Sequence, residues 1–105
     1  AQPYLFVKAD YGIMKIHCAD ILYIEGFDNY LKIHLTSSKN VLVRMSMKAV
    51  SEKLPTKEFI RVHRSYIVPF SKVTTMRHKS VFLDKVEIPV GVNYLDEVQK
   101  MFRPD

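Results

Sequence analysis

The residues in this chain able to do chemistry include one thiol, four imidazoles, 11 acids and 16 guanidinium and ammonium groups. Cys18 has no second thiol to pair with, so no disulfide framework exists and a reducing compartment is the simpler setting. His17, His34, His63 and His78 show no metal-ligand spacing, and neither a metal nor a cofactor is expected. His63 and Ser65 stand two apart, but no acid follows to orient the imidazole and no elbow turn precedes the serine. No catalytic residue is expected, although a small hydrolase built on that pair stays open. Glu25 and Asp28 read as a carboxylate pair, or Glu25 reads as a structural hydrogen-bond or ion-pair partner. Cation chemistry remains. In Val62-His63-Arg64-Ser65 the guanidinium of Arg64 offers a planar fork that grips a phosphate or the O6/N7 edge of guanine bidentately. The alternative is an Arg64 tied to a carboxylate such as Glu25.

The charge distribution favours a polyanion as the partner of those cations. The chain has a net charge of +5 and a pI near 9.4, unevenly spread. Residues 1–28 sum to −2, 29–53 to +4, 57–85 to +5 and 86–105 to −2, a basic body between acidic ends. Clustered Lys and Arg suit a nucleic acid, because each neutralised phosphate releases a condensed counterion. A merely solvated basic surface is the plainer reading of charge by itself.

The elements that must carry these groups are mostly strands. At 105 residues, 48% of them hydrophobic and 26% charged, the chain is a single domain with a real core and is not disordered. No apolar run approaches the ~18 residues of a membrane span, so no membrane partner is expected. No charged-then-apolar leader opens the chain, so nothing directs secretion and a cytoplasmic location is expected. The start at Ala1 without Met is expected of a piece of a longer protein. Alternation dominates: Leu31, Ile33 and Leu35 share one face while Tyr30, Lys32 and His34 share the other. Met14–Cys18 alternates likewise, with Met14, Ile16 and Cys18 on the apolar side and the thiol buried and inert. Further β-prone runs cover Ile21–Glu25, Val41–Met45, Phe59–Val62, Tyr66–Val68, Val73–Met76, Val81–Leu83 and Val86–Ile88. Turn signals fall at Tyr11-Gly12, Gly26–Asn29, Ser37–Asn40 and His78–Ser80. Ser46–Leu54 reads as a short helix ended by Pro55, and Asn93–Phe102 as a C-terminal helix. Asn93 stands as its N-cap, and Tyr94, Leu95, Val98, Met101 and Phe102 form its apolar stripe. The fold class is mainly β, antiparallel, with one short internal helix and a C-terminal helix.

Three segments together resemble the LytTR family of DNA-binding domains. They are Asp20–Gly26 with Asn29-Tyr30, Leu54 followed by Phe59–Val68, and Ile88–Leu95; in order and spacing they cover about Phe6 to Met101. The resemblance implies an elongated arrangement of small antiparallel sheets that reads double-stranded DNA from loops at one edge. It implies the output domain of a bacterial two-component response regulator controlling transcription, with the upstream receiver domain outside this chain. It also implies promoter direct repeats as targets, one domain to each repeat, and dimers on DNA. Pro69 stands where the family usually has Asn, and Gly91-Val92 where a Ser-Arg pair is common. Val92 offers only an apolar contact, for example to a thymine methyl.

On this resemblance the DNA-facing residues are Asn29, Tyr30, Lys32, His63, Arg64, Arg77, Lys79 and Asn93. Arg64 and Asn29 are placed at base edges or phosphates, Tyr30 at phosphate or in stacking, and Lys32 at phosphate. Asp28-Asn29 alternatively just make the turn. Arg77 and Lys79, with His78 and Ser80, form a basic hairpin loop extending a phosphate track, and Asn93 is a helix cap alone or a cap aimed at a phosphate. A protein-interaction β module with a basic face is the alternative function.

Overall fold

Alternating sequence becomes hairpin wherever a polar pair can turn the chain, and most of this molecule is built that way. A computed structural model describes residues 4–9, 12–37 and 39–104. Tyr11 and Ser38, and with them parts of two expected turns, lie outside the described residues. Strands β1 (Tyr4–Ala9) and β2 (Gly12–His17) make a two-stranded hairpin. Five strands form the central antiparallel sheet: β3 (Ile21–Phe27), β4 (Tyr30–Leu35), β5 (Val41–Val43), β6 (Phe59–His63) and β7 (Tyr66–Pro69). Their order is β5-β4-β3-β7-β6. Strands β8 (Thr75–Arg77), β9 (Ser80–Leu83) and β10 (Val86–Pro89) make a three-stranded outer sheet, ordered β10-β9-β8. The helices are α1 (Met47–Lys53) and α2 (Leu95–Met101).

The central sheet is buried on both faces near its β6–β7 side, so two cores form. On one face Ile24, Leu31, Ile33, Val43, Phe59 and Ile67 pack against Leu5, Val7 and Ile16 of the hairpin and Val50 of α1. On the other, Val62 and Val68 pack against Val81, Leu83 and Ile88 of the outer sheet and Val98 of α2. Ile67 and Val68 are neighbours that serve different cores, which is why Tyr66–Val68 reads as a continuous apolar run instead of an alternating one. Stacked along one direction, these layers give an elongated molecule of 45 × 25 × 25 Å.

Helix α1 follows its sequence signals closely. The Ser46 Oγ accepts a hydrogen bond from the Ala49 N–H at 3.0 Å, and Leu54, forced extended by Pro55, ends the helix. Other expectations need correction. Asn93 does not cap α2: the Tyr94 N–H donates to the Gly91 carbonyl at 2.9 Å, so 91–94 is a turn and the helix starts at Leu95 after an uncapped Tyr94. Met101 lies off the buried stripe and is exposed, as is Met14 on β2. The run Val73–Met76 splits, because Phe70–Lys72 forms a 3₁₀ turn and β8 begins only at Thr75. Strand β1 had no counterpart among the expected runs.

Candidate nucleic-acid interface

Pairing of β3 with β7 sets the first two loops side by side. Ile24 faces Ile67 and Glu25 faces Tyr66, and the Gly26 N–H donates to the Ser65 carbonyl at 2.8 Å. The β3–β4 turn, Asp28-Asn29, is closed by Asp28 in the left-handed region (φ 53°), a conformation Asp tolerates. Gly26 lets α1 tuck under this turn, since a Cβ there would come within 2.9 Å of the Met47 sulfur. A hollow of about 250 Å³ results, walled by Gly26, Asp28, Tyr30, Met45, Met47 and Arg64. Tyr30 is fixed at its rim: Arg44 donates to its hydroxyl at 2.8 Å and lies 4.9 Å from its ring centre. The Lys32 ammonium sits 5.7 Å from the ring centre of Phe27, drawn back toward the turn.

Strand β6 ends at His63, so Arg64 stands exposed on a turn. The His63 Nδ1 accepts a hydrogen bond from the Ser65 N–H at 3.0 Å, and its ring meets Tyr66 edge-on at 5.4 Å. The imidazole Nδ1 is therefore engaged by the turn's backbone. Arg61 donates to the Arg64 carbonyl at 2.6 Å and to that of His63 at 3.4 Å. A third loop joins from the far side, where the Gly91 N–H donates to the Val62 carbonyl at 2.8 Å. A second hollow of about 200 Å³ lies between His63, Arg64 and residues 91–94, with Val92 83% exposed at its lip. Next along the chain, the Val90 N–H donates to the Lys79 carbonyl at 2.8 Å, tying in the β8–β9 tip. Here His78 (φ 58°) makes the turn, and the Arg77 guanidinium covers the Phe82 ring at 5.0 Å.

Among the described residues, several basic groups at these loops have no acid partner. Glu25 is occupied by His34 Nε2 at 3.0 Å and by the Tyr66 hydroxyl at 3.4 Å, so it is not the anchor of Arg64. Burial and the Glu25 charge hold the hydroxyls of Tyr66 and Tyr23 above the usual tyrosine pKa, helped at Tyr66 by the hydrogen bond to Glu25. Among the described residues the carboxylate contacts of basic side chains are His34–Glu25 and Lys100–Asp96, which leaves Arg44, Arg61, Arg64, Arg77 and Lys79 without acid partners. No group of His, Cys, Asp or Glu among the described residues is arranged to hold a metal ion.

Tyr30, His63, Arg64 and Asn93 thus line two adjoining hollows, Asn29 stands exposed in the β3–β4 turn without lining either, and Lys79 is joined to them through Val90. Lys32 stands further along the sheet face. Arg44 and Arg61 were absent from the set expected at DNA. Arg44 faces Tyr30 only because Leu31 pairs with Val43, a register that becomes visible once β4 and β5 are aligned.

Among the described residues, cations without acid partners stand on or beside turns at the ends of antiparallel strands, an arrangement that fits a nucleic-acid-binding β module. The chain belongs to the LytTr DNA-binding domain family, whose model matches residues 11–103. The solved LytTr DNA-binding domain of a methyl-accepting/DNA response regulator from Bacillus cereus has the same fold. Its TM-score is 0.79 at 20% identity, over 97% of this chain and 98% of that one. A response regulatory protein of Vibrio cholerae is 28% identical over 86% of this chain and 38% of its own length. The sensory transduction protein LytT of Bacillus subtilis is 26% identical over 95% of this chain and 44% of its own. The chain spans less than half the length of these two relatives. Among the described residues no helix is long and apolar enough to cross a membrane.

Proposed function

We propose that this chain is the single DNA-binding output domain of a longer cytoplasmic response regulator, that it binds promoter repeats as paired domains, and that it has no enzymatic activity. Arg64 and Asn29 reach base edges; Tyr30, Lys32, Arg77 and Lys79 lie along phosphates; His63 and Asn93 flank the reading turn. One observation carries the reading: Arg64 is exposed where two loop hollows meet, with its neighbouring acid already engaged by His34 and Tyr66. A cation in that state gains charge-assisted hydrogen bonds from DNA without first losing any to the protein.

The test is selection of bound duplexes from random sequence at two salt concentrations, followed by affinity measurements on variants. The selected duplexes should share a short motif in tandem, and affinity should fall steeply with salt. Arg64→Ala should weaken binding to that motif by about 1–3 kcal/mol and relax preference at one position. Lys32→Ala should weaken binding to all sequences alike and lower the salt slope by about 1. Parent-like affinity in both variants would remove these residues from the interface.

A further inference from the structure

We infer that Arg61 is the positioning residue of this interface, locking the Arg64 turn and the 91–94 turn into one rigid reading surface. The inference rests on the DNA-binding reading and goes beyond it, because Arg61 acts through backbone and ring contacts and touches no DNA.

The geometry begins with an irregularity in β6. Arg61 faces Ile67 and His63 faces Tyr66, so the register slips at Val62. Such a slip bends the strand and interrupts its ladder, leaving carbonyls beyond it in need of donors. Arg61 reaches over the bend to meet two of them, Nη2 to the Arg64 carbonyl at 2.6 Å and Nε to the His63 carbonyl at 3.4 Å. The rest of the turn is held from other sides: the Ser65 N–H donates to His63 Nδ1, and the Ser65 carbonyl accepts from Gly26. Every one of these contacts fixes backbone, so Arg64 leaves the sheet in a set direction with its own side chain uncommitted.

Arg61 also connects the neighbouring turn. Its guanidinium carbon lies 5.9 Å from the Tyr94 ring centre, and that ring lies against Gly91, where a Cβ would come within 3.1 Å of Tyr94 Cδ2. Gly91 in turn donates to the Val62 carbonyl. Arg61 thus sits between the Arg64 turn and the Tyr94 ring, and a planar fork can serve both at once. Lysine, a single point charge on a flexible stem, cannot span two carbonyls and cover a ring. A reading side chain held in place before binding loses less freedom on binding, and a loosened support is felt mainly by the matched sequence.

The experiment measures affinity for the selected duplex and for an unrelated duplex at two salt concentrations, with thermal melting as the check on folding. Arg61→Met should lose about 10-fold or more on the selected duplex while staying within about 2-fold on the unrelated one, its salt slope unchanged. Arg61→Lys should not rescue that loss. In an Arg64→Ala background Arg61→Met should add almost nothing, since the group it positions is gone. Tyr94→Leu, which keeps the guanidinium and removes the ring beneath it, should show a weaker form of the same selective loss and serves if Arg61→Met melts early. Equal loss on both duplexes with a slope lower by one phosphate would make Arg61 a direct contact and overturn the inference. So would additive losses with Arg64→Ala, or a Tyr94→Leu variant indistinguishable from the parent. A parent chain that prefers no duplex overturns the functional reading and this inference with it; a discriminating parent whose Arg61 variants discriminate equally overturns this inference alone.

Discussion

Tyr66 directs its hydroxyl at Glu25, whose other oxygen holds His34, and Tyr23 stacks on His34 at 4.0 Å. Burial first, then the Glu25 charge and the hydrogen bond to it, keep the Tyr66 phenol protonated to a higher pH in the folded chain than in the unfolded one. The sign of the linkage follows: the contribution is fully present below the unfolded tyrosine pKa of about 10 and is lost as pH rises from there through the folded value. Melting temperature followed against pH should therefore decline above about pH 10, and Tyr66→Phe should decline less steeply than the parent. The structural role of Glu25 was legible in the sequence, but its partners were not. Nothing local distinguishes His34 from Arg64 as the partner for that acid; the choice is made by strand register, which lays Tyr23 and His34 opposite one another. Cys18 was legible outright, as an apolar neighbour of Ile16, and burial and then the charge of Glu58 hold its thiol above the usual range.

Hairpin turns divide this chain, and three of them are closed by non-glycine residues at positive φ: Asp28, His78 and Asp84. Asp84, in the β9–β10 turn, lies away from the proposed interface and isolates the cost of that conformation. Asp84→Val should lower stability by about 1–2 kcal/mol, whereas Asp84→Gly should stay near the parent, both measured by urea unfolding with DNA affinity unchanged. Elements with clear punctuation were readable: Ser46 and Pro55 bracket α1, and Lys32 between Leu31 and Ile33 marks β4 as a strand with one wet face. Strand β1 was not, because Tyr4, Leu5, Phe6 and Val7 are all apolar and hide an alternation in which only Leu5 and Val7 are buried. The start of α2 was misplaced because Asn93 has the right chemistry for a cap, yet Gly91 closes a turn first.

Strand β7 belongs to both cores, so the layers of this elongated molecule are not independent. Ile67→Ala should cost about 2–5 kcal/mol through the hairpin-side core and Val68→Ala a smaller but clear amount through the outer-sheet side. Both variants should still unfold in one transition seen alike by tyrosine fluorescence and far-UV dichroism; two separated transitions would show the cores to be separate units. Sheet order lay beyond the sequence, since β3 pairs with a strand some forty residues away and periodicity says nothing about which strand is its neighbour. The elongated shape was reached only through resemblance to a family. The hydrogen bond from Gly91 to Val62 crosses the boundary between the outer sheet and the central one, and basic loops flank that boundary on either side. On the proposed reading, a duplex gripped by Arg64 and Lys79 together would also be a clasp across the seam, and duplex binding should raise the melting temperature of the whole chain.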